Sequence, residues 1–226
     1  MKELFKSYGY DFSDEINEDF EKYYDILIEY NSRFNITAIT EKKDVFVKHF
    51  IDSLSGKDLI FGDNILDIGS GGGFPALPLK IIYPKKRFTL IEATGKKCVF
   101  LKAVTDLLKL NSVTVVNARA EELSKNEKFR EKFDTVTARA VARLNVLTEL
   151  CLPFVKIGGK FIAYKGNSEE EIKEAENAVK VLGGRINTVK EFTLNDEKRS
   201  IIEIVKEKNT PDLFPRTNAK IKKNPL

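Results

Sequence analysis

Asn64-Ile-Leu-Asp-Ile-Gly-Ser-Gly-Gly-Gly-Phe74 is the stretch that decides the fold. Asn64 to Ile68 is an apolar run of strand length, and the glycines that follow it let the backbone turn sharply and let a ligand approach main chain. From Phe74 to Tyr83 the pattern is helical, with Pro75 and Pro78 in the first turn or so, where missing N–H groups have no helical partner anyway. A strand, a glycine turn and a helix in that order form the first unit of an open α/β sheet, which binds ligands at its carboxyl edge. The glycine spacing narrows the ligand. A dinucleotide fingerprint needs glycine at the sixth position from Gly69, where this chain has Phe74, and the Gly-Lys-Ser/Thr of a phosphate loop is absent. What remains is D-x-G-x-G-x-G after an apolar strand.

That pattern resembles motif I of the class I methyltransferases, and it implies S-adenosylmethionine as the cofactor. The residues downstream fit an alternating βα chain. Strands are expected at 87–92, 113–117, 134–138 and 160–164, with helices at 96–110 and 144–154. Ser168 is expected to cap a charged helix ending at Gly183-Gly184. Residues 186–193 and 200–206 read as a strand pair joined by 194–199. The expected fold class is α/β: a Rossmann-like, mostly parallel sheet with helices on both faces and an antiparallel C-terminal strand. Helices precede it, at 14–31 and from an N-cap at Thr40 to Leu54. Three segments are expected: an N-terminal helical extension at 1–60, a methyltransferase domain at 61–206 and a basic tail at 207–226.

Composition sets outer bounds. Apolar residues make up 42% of the 226 and charged residues 32%, which suits one globular domain with an extension. Two cysteines, Cys98 and Cys151, and one histidine, His49, leave neither a disulfide framework nor metal-ligand spacing, so no metal is expected. No signal peptide or membrane-spanning run is read, and the expected location is the cytoplasm. From Lys206 to Leu226 six cations face two acids, which accounts for the whole net charge of +4. A basic end on a neutral body suits a polyanionic partner, although such tails are also often simply solvated.

The strand ends carry the candidate chemistry. Glu92, at the end of the second strand, can accept both ribose hydroxyls of a nucleoside. Ala120 and Glu121, after the third, would lie over its adenine. After the fourth strand comes Ala138-Arg-Ala-Val-Ala-Arg143, without the (D/N)-P-P-(Y/F) of amine methylases. A pyrimidine C5 methylase needs a thiol nucleophile there, and Cys151 comes too late. Arg139 is the strand's delivered group, with Arg143 one turn on, and an arginine fork suits guanine edges or phosphate. A structural ion pair is the plain alternative for Arg139. Guanine N7 already carries a free lone pair, so its methylation needs positioning and no general base.

At this point the chain is similar to the bacterial small-subunit ribosomal RNA guanine-N7 methyltransferase family, also called glucose-inhibited division protein B. The resemblance runs nearly from end to end: Asn35-Ile-Thr-Ala-Ile39, His49-Phe-Ile-Asp-Ser-Leu54, Asp67 to Pro75, Phe133 to Val141, and Phe214-Pro-Arg216 with Lys223 and Pro225 behind it. It implies cofactor contacts at Gly69, Phe74, Ala120 and Glu121 and a site role for Arg139. With the residue reading, the candidate cofactor set is Gly69, Gly71, Phe74, Glu92, Ala120, Glu121 and Arg139. Arg139 is also the candidate catalytic positioner, and Arg143, Arg216 and Lys223 are candidate RNA contacts. The implied substrate is a guanine in the 530 loop of 16S ribosomal RNA or of the small subunit, acted on by a monomer. His49 is expected to pack or cap rather than react. The chain departs from the family pattern at Glu92-Ala93, where an Asp-Ser pair is usual, and at Ala219 and Ile221 in the tail. A small-molecule methyltransferase and a non-catalytic RNA-binding relic stay open as alternatives.

Overall fold

The computed structural model describes residues 1–226. Its strands are β1 (Asn64–Ile68), β2 (Arg87–Glu92), β3 (Val113–Asn117), β4 (Phe133–Arg139), β5 (Val155–Lys165), β6 (Gly184–Leu194) and β7 (Glu197–Lys206). They form one sheet in the order β3-β2-β1-β4-β5-β7-β6. The first five pair in parallel, and β7 enters antiparallel beside β5, as the terminal hairpin implied. Chain order reverses between β1 and β4, so the ligand crevice is expected outside their carboxyl ends.

The helices are α1 (Lys2–Ser7), α2 (Asp14–Phe34), α3 (Lys42–Val45), α4 (Asp52–Leu54), α5 (Ala76–Ile82), α6 (Gly95–Leu107), α7 (Ala120–Leu123), α8 (Leu144–Cys151), α9 (Glu169–Val181) and α10 (Asn218–Lys223). None is long and apolar enough to cross a membrane. In β1, Ile65, Leu66, Asp67 and Ile68 are all buried, as a central parallel strand covered on both faces requires. Ile65 points into one apolar cluster, shared with Phe20, Tyr23 and Leu27 of α2, Leu77 of α5 and Phe100 of α6. Leu66 points into the other, under α8 and α9. The front helices and the sheet thus share one core, and each large side chain buried there contributes about 1.5–3 kcal/mol.

Four local expectations change. Between α3 and α4 the backbone is a π turn, Phe46–Ile51, instead of one continuous α-helix. The entry to α3 is capped by Glu41 rather than Thr40, with Oε2 accepting from the Asp44 N–H at 2.8 Å. Ser168 does precede α9, but its hydroxyl meets Ser200 Oγ at 2.8 Å, so it caps nothing with its side chain. The expected six-residue link 194–199 tightens to Asn195-Asp196, both left-handed at φ 50° and 61°. That is the type I′ geometry whose twist matches a hairpin, and it extends β7 back to include Arg199.

The tail is docked rather than loose. Phe214 and Ile221 sit in the second apolar cluster. Arg130 donates to the carbonyls of Thr210, Pro211 and Phe214 at 2.7–3.2 Å. Arg216 forks onto Glu149 of α8, with contacts of 2.5–3.2 Å.

Candidate active site

The glycine turn wraps the end of β1. Gly69, Gly71 and Gly73 have φ of 68°, 56° and 88°, a region side chains disfavour. Space matters as well as φ. A Cβ at Gly69 would stand 2.7 Å from Val141 of the β4–α8 loop, and one at Gly73 would run into the Tyr23 hydroxyl. Tyr23, buried in α2, donates to the Gly72 carbonyl at 2.5 Å, so the front layer holds the turn in place.

Acids surround the turn. Glu92 Oε2 accepts from the Gly71 N–H at 2.9 Å and Oε1 from the Thr94 N–H at 2.7 Å. This fixes the carboxylate at the end of β2, and each oxygen retains a lone pair for a ribose hydroxyl. Asp67 Oδ1 accepts from Thr137 Oγ1 of β4 at 2.7 Å, while Oδ2 is buried with no partner. Burial pushes the Asp67 carboxyl up to about 7, against the pull of Thr137, Ser70 and Arg139. Glu121 is 8% exposed at the start of α7, beside the buried Ala120. A fixed acid at the strand end, a cradle without Cβ atoms and a buried acid past β3 fit a nucleoside cofactor bearing an amine. Those residues would hold S-adenosylmethionine.

Arg139 ends β4 and leaves this loop for a different cavity, of about 490 Å³. Lys48, His49, Asp52, Tyr164, Lys165 and Arg199 are among its walls, and none of Gly69, Gly71, Glu92, Ala120 or Glu121 lines it. Arg139 Nη1 donates to Asp52 Oδ2 at 2.6 Å and to the Lys48 carbonyl at 2.9 Å. Nη2 lies 3.1 Å from His49 Nδ1. Arginine only donates, so Nδ1 is the acceptor and the ring proton sits on Nε2, 2.8 Å from Thr37 Oγ1. By the same logic the 3.2 Å approach of Nδ1 to the Lys48 carbonyl is no hydrogen bond. Burial first, and the Arg139 charge second, hold the His49 ring neutral, with its pKa lowered to about 3. Nε–H and one Nη2–H of Arg139 remain for a ligand.

Phe74, expected at the cofactor, turns its ring inward. His49 stacks on it at 4.4 Å between centroids, Arg139 lies over it at 5.1 Å and Tyr23 backs it at 5.7 Å. It thus packs behind two residues of the Arg139 cavity without lining the cavity itself. His49 packs, as expected, but it also touches Arg139. Of the candidate RNA contacts, Arg143 is exposed and paired with Glu174 at 2.6 Å. Lys223 is exposed on α10. Arg216 turns back to the body of the protein: its guanidinium faces Glu149, which is fully buried and needs the partner. Sequence reasoning missed Asp52, Lys48 and Arg199. The i, i+3 pair His49 and Asp52 was visible as part of a motif, but nothing local said that it met Arg139 some 90 residues on.

The sequence model of the GidB family, described as rRNA small subunit methyltransferase G, matches residues 16–202. The chain is 47% identical over 227 residues to the ribosomal RNA small subunit methyltransferase G of Lachnoclostridium phytofermentans, covering 98% of this chain and 94% of that protein. To the protein of the same name from Lactobacillus johnsonii it is 44% identical over 233 residues, 100% of this chain and 97% of that protein. Among solved structures it is similar to a SAM dependent methyltransferase from Aquifex aeolicus, with a TM-score of 0.56 at 16% identity over 76% of this chain and 97% of that one. The structure of M. jannaschii TYW2 in complex with AdoMet gives a TM-score of 0.54 at 16% identity, over 68% of this chain and 74% of that one.

Proposed function

The chain belongs to the rRNA small subunit methyltransferase G family, and we propose that it methylates N7 of a guanine in the 530 loop of 16S ribosomal RNA. S-adenosylmethionine supplies the methyl group as an electrophile on a sulfonium centre. The proposed holders are Gly69, Gly71 and Phe74 of the turn, Glu92 for the ribose, and Ala120 and Glu121 for the adenine. Arg139 is assigned to the acceptor, because the cavity it enters is separate from the glycine loop. A cytoplasmic monomer is the proposed working form, with helices 1–60 as the acceptor-side layer.

The observation that carries this reading is the state of Arg139. It stands at the carboxyl end of β4 in the wall of a polar cavity, with three donors fixed by protein and two without a protein partner. The chemistry restricts what those donors can meet. A donor on guanine N7 would occupy the lone pair that must attack the methyl group, so Arg139 serves O6 or a neighbouring phosphate and leaves N7 bare. No proton leaves N7, and the one imidazole in the cavity already accepts from Arg139 through its Nδ1 lone pair. Catalysis then rests on positioning and exclusion of water. Arg143 and Lys223 are proposed to meet phosphate; the Arg143–Glu174 pair is exposed and cheap to exchange, at about 0–1 kcal/mol.

The test is methyl transfer to small-subunit RNA by the wild type and by Arg139→Ala. Transfer by the wild type, its loss in the variant and unchanged affinity for S-adenosylhomocysteine are expected. Full activity in Arg139→Ala would remove the arginine from the reaction.

A further inference from the structure

In a continuous α-helix the Asp52 N–H would bond the Lys48 carbonyl. Here it reaches one residue further back, to the Val47 carbonyl, with the His49 carbonyl as a second acceptor. The extra residue of the π turn thereby frees the Lys48 carbonyl, and Arg139 Nη1 takes it at 2.9 Å. Two side chains from the same segment complete the contact: Asp52 Oδ2 on Nη1 and His49 Nδ1 on Nη2. The segment is itself braced. Ser53 Oγ donates to the His49 carbonyl at 2.5 Å, Tyr164 of β5 donates to the Ser53 carbonyl at 2.9 Å, and the His49 ring is stacked on Phe74. Asp52 also reaches the second arginine of the cavity, with Oδ1 3.4 Å from Arg199 Nε on β7.

We propose that the π turn Phe46–Ile51 is a guanidinium seat that aims Arg139 at the acceptor base, with Asp52 and His49 as its positioning residues and Asp52 linking Arg139 to Arg199. This rests on the assignment of Arg139 to the acceptor. Three acceptors of different kinds, a carbonyl, a carboxylate and an imidazole nitrogen, are arranged around the two terminal nitrogens. The guanidinium plane is therefore fixed, and the donors left over, Nε–H and one Nη2–H, are the ones directed at the ligand. A plain ion pair would need only Asp52. The carbonyl released by the π turn and the neutral imidazole add orientation, which is what a reaction governed by positioning depends on. The sequence counterpart is His49-x-x-Asp52, whose two side chains act on a residue contributed by another strand.

The seat can be tested by emptying it and refilling it. Arg139→Gly leaves a space for free guanidinium ion. Arg139→Gly/Asp52→Asn removes both charges together, so no unpaired buried charge threatens the fold. Guanidinium chloride is titrated into each variant at concentrations too low to denature. Two signals are followed: the ring nitrogens of His49, the only histidine in the chain, and methyl transfer to small-subunit RNA. In Arg139→Gly a saturable shift of Nδ1 is expected, together with a recovery of transfer. In the double variant the midpoint is expected to weaken by about tenfold or more, for the loss of a charge-assisted bond, with no recovery. Equal midpoints in the two variants, or no shift at His49 in the single variant, would overturn the seat. A shift at His49 with no transfer to RNA even by the wild type would leave the seat standing and sink the proposed acceptor.

Discussion

His49 and Asp67 both feel the charge of Arg139, and the fold shifts their protonation in opposite senses. His49 falls from 6.5 to about 3. Its neutral form is favoured in the folded state, so its contribution to stability is complete above pH 6.5 and is lost as pH falls towards 3. Because the chain has a single histidine, nitrogen-resolved NMR should show one ring, protonated on Nε2 and flat from pH 8 to 5; a titration near 6.5 would contradict the contact with Arg139. Asp67 rises from 3.8 to about 7. Its protonated form is favoured, so its contribution is complete below pH 3.8 and is lost as pH rises through about 7. Asp67→Asn does not carry that loss, and its denaturation midpoint should gain on the wild type between pH 4 and 7, with no further gain above. Neither shift could be read from sequence. Asp67 was legible as the acid of a glycine motif and His49 as a packing residue, but burial and the proximity of Arg139 are products of the tertiary fold.

At the scale of elements, the docked tail and the hairpin depart most from the sequence reading. The tail's charge suggested a polyanion. Its apolar residues decide its path, with Phe214 and Ile221 in the core and Arg216 latched on Glu149. Arg216→Ala leaves a fully buried carboxylate unpaired and should destabilise the protein by about 3 kcal/mol, seen in chemical denaturation. If Arg216 chiefly contacted phosphate, the variant would instead keep its stability and flatten the salt dependence of RNA binding by about one charge. In the hairpin, Asp196 carries a left-handed φ of 61° that glycine accepts freely. Asp196→Gly should stabilise the protein by roughly 0.5 kcal/mol, measured as a higher thermal midpoint; a lower one would mean the aspartate side chain contributes more than its backbone strain costs. The hairpin's strands were readable from alternation. Its tight turn was not, because Glu197, Lys198 and Arg199 are as polar as a loop and only pairing with β6 puts them in β7.

For the whole molecule, strands β1 to β4 were legible almost residue by residue from short apolar runs between helices of clear period, whereas β5 starts at Val155, five residues before the expected Lys160. The glycine turn and the strand-end acids proposed to hold the cofactor were legible as elements too, since they are local in sequence. The acceptor cavity was not. It gathers the front helices, the end of β4, the stretch from the end of β5 into α9 and strand β7, four segments that share no local pattern, and only Arg139 announced it. The central claim is that this cavity presents guanine N7 of small-subunit RNA to S-adenosylmethionine. The direct measurement is mass mapping of 16S ribosomal RNA from cells lacking the enzyme, after treatment with the purified protein and labelled cofactor. One label at N7 of a guanine in the 530 loop is the expected result. Label on another base or atom, or transfer to small molecules with none to RNA, would contradict it.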